Sequence, residues 1–227
     1  KKHQTHNINT HGNHTYIKIR LSRGVVMEKS TAKVSIWCIV SLTSIPLIMT
    51  LGNSMFIPVL PKLEEKVGIS SFQSSMIITS YSISAIFLIP VAGYLSDRFG
   101  RKMVILPSLV FALIGGLIAG FASWKMEDPY TMIIIGRVLQ GIGAAGAMPI
   151  VLPLVGDLYQ DDDEKISSTL GIIETSNTFG KVLSPILGSV FAAILWFLPF
   201  FSISVLSLIS FALILFFVKA PKDKEEP

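Results

Sequence analysis

The chain has 227 residues, of which 51% are hydrophobic and only 15% charged, with a formal net charge of +4. Soluble domains carry about a quarter charged residues, so this deficit, with several long uncharged runs, points to an integral membrane protein. The basic residues form no stripe interleaved with aromatics, which argues against nucleic acid as a partner. A single cysteine, Cys38, gives neither an intrachain disulfide nor a thiolate metal site.

Residues 1–33 differ from the rest. The first 26 are polar, hold His3, His6, His11 and His14, and show no apolar periodicity. No carboxylate or cysteine accompanies these histidines, so no metal site is expected. Met27-Glu28-Lys29-Ser30-Thr31-Ala32-Lys33 followed by an apolar run reads as a natural start. Residues 1–33 are therefore expected to be disordered, or a mis-assigned upstream extension joined to the cytoplasmic start of the chain.

The transmembrane domain is expected at 34–218. About 20 apolar residues are enough to cross the hydrocarbon core as a helix. Val34 to Pro61 carries no charge and holds the first span, with Pro46, Gly52, Pro58 and Pro61 marking bends. Asn53 is its strongest polar group. A polar loop is expected from Lys62 to Ser75, then a second span from Ser74 to Leu95. Ser75, Ser80, Ser82, Ser84 and Tyr81 make one side of that span mildly polar, for interhelical hydrogen bonds or for lining a cavity; both readings stand.

Gly93-Tyr94-Leu95-Ser96-Asp97-Arg98-Phe99-Gly100-Arg101-Lys102 is a short knot of charge between two membrane-length runs. It forces the helices on either side to run antiparallel. Asp97, Arg98, Arg101 and Lys102 cannot lie in hydrocarbon, and three cations place the loop in the cytoplasm. The third span is Met103 to Ala122, where Gly115, Gly116 and Gly120 permit close helix contact. Lys125, Glu127 and Asp128 follow in an outer loop.

The fourth span, Tyr130 to Gly156, carries Arg137 within an apolar run. A charge at such a depth costs ~2.5 to 3.5 kcal/mol on insertion scales, so it is expected to face the bundle interior and a partner; the alternative is snorkelling to an interface. Asp157, at the start of an acidic inner loop, is placed to pair with Arg98 or Arg101. The fifth span, Ile166 to Leu195, holds Glu174 and Lys181, two helical turns apart on nearly one face. Their axial separation of ~10 Å is too long for a simple ion pair, so each is expected to face a central cavity or another helix. The sixth span runs from Pro199 to Val218, and 219–227 is a solvated tail. Inner segments hold nine Lys and Arg against three in the outer loops, which puts both termini in the cytoplasm. Trp37, Trp124 and Trp196 fall at span ends, as an aromatic belt requires.

Three of these segments resemble signatures of one family, the major facilitator superfamily. Gly93 to Lys102 fills every position of Gly-x-x-x-Asp-Arg-x-Gly-Arg-Lys between its second and third helices. Arg137-x-x-Gln140-Gly141-x-Gly143-x-Ala145 is similar to its fourth-helix signature. Gly171-x8-Gly180-x3-Ser184-Pro185-x2-Gly188-Ser189 resembles the fifth-helix motif of drug:proton antiporters, the twelve-helix exporter branch, with serine in place of glycine at 184 and 189. The segment Leu51 to Pro61 is similar to the outer half of helix one in these exporters, where many relatives carry an acidic residue and this chain has Asn53, which cannot carry a proton. Together these segments look like multidrug and siderophore exporters of Firmicutes.

The resemblance implies an all-α membrane protein whose six transmembrane helices form the amino-terminal half of a major facilitator bundle, two inverted three-helix repeats. It implies alternating access by a proton-coupled exporter of small molecules in the bacterial plasma membrane. Gly93, Asp97, Arg98, Gly100, Arg101 and Lys102 would form a conformational latch. Arg137 would tune the proton affinity of a nearby carboxylate, Glu174 would carry the proton, and Lys181 would be its counter-charge or meet an anionic substrate. Gly171, Gly180, Pro185 and Gly188 would be the antiporter motif, and Asn53, Tyr81 and Gln140 would line the cavity. The implied partners are a small-molecule substrate, protons, the lipid bilayer, and either a second six-helix half or another copy of the chain; no cofactor is implied. A fragment, a truncated product and a self-assembling half are all consistent with one half alone. An uptake symporter of the same family and a non-transporting membrane protein are the alternatives. No nucleophile elbow, zinc helix or phosphate loop suggests an enzyme, and without a Walker sequence the energy source would be a gradient.

Overall fold

A computed structural model describes the backbone of residues 7–11, 14–20 and 26–32, and the whole of residues 34–159 and 162–218. The expected tail at 219–227 and the four histidine side chains lie outside the described residues.

Six helices are long and apolar enough to cross a membrane. The first span is α1 (Ile36–Ser54), continued through a 3-10 turn at Ile57–Val59 into α2 (Leu60–Val67). The others are α3 (Ser71–Phe99), α4 (Arg101–Lys125), α5 (Tyr130–Tyr159), α6 (Asp163–Ile194) and α7 (Leu198–Phe217). The helix starts follow from local chemistry. The Ser35 hydroxyl accepts from Trp37 N at the start of α1. Ser70 and Gln73 form a reciprocal capping box ahead of α3, satisfying two donors that the first turn would otherwise leave orphaned. Asp162 accepts from Lys165 N ahead of α6. Gly100, at φ 90°, turns the chain from α3 into α4 in one residue, a backbone angle that side-chain-bearing residues resist.

One expectation needs correction. Lys62 to Ser75 is not a loop throughout: α2 covers its first part and α3 begins at Ser71. The charges there read as loop because eight residues give only one apolar contact, Leu63, which is fully buried. Glu64 accepts from the hydroxyls of Ser71 and Ser74, and Lys62 Nζ donates to Ala192 O at 2.7 Å, so the charged side ties α2 to α3 and to the end of α6. Upstream, three antiparallel strands, β1 (Asn7–His11), β2 (His14–Arg20) and β3 (Val26–Ala32), pair in the order β1-β2-β3. The alternation of Ile17 and Ile19 with Lys18 and Arg20 has the two-residue period of a strand.

Between residues 34 and 218 the described residues form helices and the short connections between them, with no strand. The strongest packing is α4 on α5, α3 on α5, α4 on α7, and α1 on α6 and α7. One apolar cluster gathers Leu42 and Ile45 of α1, Tyr81 of α3, Leu109 of α4, Leu154 of α5 and Ile214 of α7. A second gathers Phe56, Leu63, Ile77, Ala119, Ile133 and Phe200. Trp37 and Trp124 are exposed near helix ends, and Trp196 lies in the connection between α6 and α7.

Candidate functional site

Arg137 stands where the two clusters meet and is fully buried, with no exposed surface. This excludes snorkelling. Its Nε donates to Ile77 O at 3.1 Å, and one terminal nitrogen donates to Gly52 O at 3.0 Å and to Gln140 Oε1 at 2.7 Å. The other terminal nitrogen donates to Asn53 Oδ1 at 3.0 Å. The guanidinium lies 4.6 Å from the ring centres of both Phe56 and Tyr81. A planar, delocalised cation with a fan of donors suits this cage better than an ammonium does. Cation–π attraction from two rings adds to the hydrogen bonds.

The resemblance implies a carboxylate near Arg137. Among the described residues its partners are carbonyl and amide oxygens and two aromatic faces. Asn53, noted in the sequence as a residue that cannot carry a proton, is the α1 side chain that Arg137 binds. Of the three residues expected to line a cavity, Tyr81 and Gln140 are buried under the arginine, and Asn53 is partly exposed. Gln140 Nε2 has no hydrogen-bond partner.

Glu174 and Lys181 are not part of this cluster. Both project from the middle of α6 and are exposed. At about 100° per residue, α6 divides into three sectors. Thr169, Ile173, Asn177, Gly180, Ser184, Gly188 and Ala192 form the buried stripe. Glu174, Lys181, Thr178 and Ser189 lie on one exposed flank, and Ile172, Phe179, Ile186 and Val190 on the opposite, apolar one. Glu174 is nevertheless held. Asn177 Nδ2 donates to both its oxygens, at 3.1 and 3.2 Å, and Asn177 Oδ1 accepts from the Thr50 hydroxyl of α1. Lys181 has no hydrogen bond or ion pair among the described residues.

Sequence reading missed Asn177 and Thr50. Asn177 follows Glu174 at the i,i+3 spacing of neighbours on a helix surface, a signal that was available. Thr50 carries no such signal, since only the packing of α6 on α1 brings it near.

Of the fifth-helix motif, Gly180 and Gly188 lie on the α1 contact and Gly171 does not. A Cβ on Gly188 would overlap Met55 O, whereas one on Gly171 would meet nothing within 4 Å. Pro185 lies within α6 on its exposed side.

The charged connection between α3 and α4 is tightly wired. Arg101 bonds to Asp97, to Ser96 Oγ at 2.6 Å and to Asp157 Oδ2 at 3.1 Å, so it is Arg101 and not Arg98 that meets Asp157. Lys102 Nζ donates to Leu215 O at 2.9 Å and Val218 O at 2.6 Å, capping the carbonyls at the end of α7. Arg98 bonds to the Tyr94 hydroxyl at 3.3 Å. Gly93 lies within α3 with open space around it.

Six membrane-length helices in one bundle, with a cation sealed at its centre and a charged flank left uncovered, define a multi-pass membrane protein. The chain belongs to the Major Facilitator Superfamily, whose profile matches residues 42–227. It is 63% identical over 162 residues to the bacillibactin exporter of Bacillus subtilis (strain 168), covering 71% of this chain and 40% of that protein. It is 29% identical over 201 residues to Multidrug resistance protein 2 of the same strain, covering 88% of this chain and 48% of that protein. The inward-open structure of the xylose transporter XylE from E. coli matches with a TM-score of 0.68 at 16% identity, covering 81% of this chain and 48% of that one; that likeness is one of fold. The chain spans less than half the length of these relatives.

Proposed function

We propose that this six-helix unit is the amino-terminal half of a proton-coupled exporter of small molecules that works by alternating access in the plasma membrane, with both ends of the unit on the cytoplasmic side. The names of its relatives support export, of bacillibactin or a related small molecule.

The observation that carries the proposal is the charged flank of α6. Glu174 and Lys181 are exposed near the middle of a membrane-length helix, while the other flank carries no charge there and is mostly apolar. Charges facing lipid at that depth would each cost ~2.5 to 3.5 kcal/mol on insertion scales. A flank facing a water-lined passage, closed by a second six-helix half, avoids that cost. Glu174 is then the proton-carrying group, Lys181 is its counter-charge or contacts an anionic part of the substrate, and the Arg101–Asp97–Asp157 cluster latches one state.

Efflux driven by a pH gradient, measured in vesicles with the complete transporter, tests this. Glu174→Gln is expected to abolish the stimulation of efflux by the gradient. Gradient-driven efflux that survives this substitution would remove Glu174 from the mechanism.

A further inference from the structure

We infer that Asn177 is a two-position amide that passes the protonation state of Glu174 to the hydroxyl of Thr50 on α1. The inference rests on the proposed role of Glu174 as proton carrier.

A carboxylate has no hydrogen to donate, so the amide nitrogen must face it. That is the arrangement seen: Asn177 Nδ2 donates to both Glu174 oxygens, and Oδ1 accepts from Thr50. Protonating one oxygen leaves Nδ2 a single neutral acceptor, weaker than a carboxylate, and places an O–H donor beside it. Asn177 is only 5% exposed, so water does not readily supply a substitute partner. Turning the amide over satisfies every group. Oδ1 then accepts from the carboxylic O–H, and Nδ2 donates to Thr50 Oγ1. The Thr50 hydrogen turns to the carbonyl of Pro46 one helical turn back, an acceptor that threonines in helices commonly use.

Among the described residues no other charge competes for the amide. α1 holds no charged side chain, and its titratable Cys38 lies three turns away; α7 has neither charged nor titratable side chains. On α5, the Arg137 donors go to Ile77, Gly52, Gln140 and Asn53, and Asp157 pairs with Arg101. On α2, Lys62 bonds Ala192 O. Lys181 lies two turns along the same flank of α6. The reoriented hydroxyl lies two residues before Gly52 and three before Asn53, both of which bind Arg137. The relay therefore runs from the exposed flank of α6 to the turn of α1 that also supplies Gly52 and Asn53 to the sealed arginine, and leaves those contacts in place.

The test is solid-state NMR of the full chain in lipid vesicles, with asparagine labelled with 15N in its side chain and signals assigned by replacing each asparagine in turn. Between neutral and acidic pH the Asn177 Nδ2 signal is expected to move, while that of Asn53, tied to Arg137, stays and serves as the fold control in every variant. The movement is expected to vanish in Glu174→Gln, to be lost in Thr50→Val and to return in Thr50→Ser. An Asn177 signal that does not move in the unmodified chain, or that moves equally in Glu174→Gln, overturns the inference; movement undiminished in Thr50→Val overturns the link to α1. If the signal behaves as expected while Glu174→Gln still exports in response to a pH gradient, the transport role of Glu174 fails and the amide switch stands.

Discussion

At the scale of the residue, the cage around Arg137 is what a buried cation needs when no anion is at hand. Removing the guanidinium would orphan the Ile77 and Gly52 carbonyls and the Asn53 and Gln140 amides together. Groups that share a network do not lose their contributions independently. A double-mutant cycle of Asn53→Ala and Arg137→Met, read as thermal unfolding midpoints in detergent, is therefore expected to give a coupling of about 1 to 3 kcal/mol; additive effects would mean that the 3.0 Å contact contributes nothing. That Arg137 is interior was legible from its apolar surroundings and its motif. Its partners were not, because two of the four acceptors are backbone carbonyls, which every residue has and no letter announces. The expectation of a carboxylate came from the family resemblance; among the described residues, oxygens and ring faces surround the cation instead.

At the scale of the element, the contact of α6 on α1 is set by small side chains. Gly188 lies against the Met55 carbonyl, and a methyl there would have to push one helix from the other, a strain of about 1 to 3 kcal/mol for overpacking. Gly188→Ala is expected to lower the thermal midpoint, whereas Gly171→Ala, with open space around it, is expected to leave it unchanged or raise it slightly through helix propensity. Equal effects at the two positions would contradict this division of the motif. The six spans were legible almost to their ends, because apolar length is the strongest signal a membrane helix gives. α2 was not: eight residues of alternating charge, with Leu63 alone buried, carry too short a period to tell from loop.

At the scale of the whole molecule, the protein is a half-bundle with one sealed charge and one flank of charge left open. The sealed charge holds α1, α3 and α5 together. The open flank of α6 has no counterpart among the described residues, and the other exposed side is mostly apolar around Ile172, Phe179, Ile186 and Val190. These two flanks make opposite demands on their surroundings, and the account depends on the difference. Single cysteines placed on each flank of the full chain in native membranes, in a Cys38→Ala background, measure it directly. Thr178→Cys and Lys181→Cys are expected to react with a charged, membrane-impermeant thiol reagent, and Phe179→Cys and Ile186→Cys are not. Failure of the first pair to react, or equal reaction of both pairs, would contradict a water-lined passage along α6.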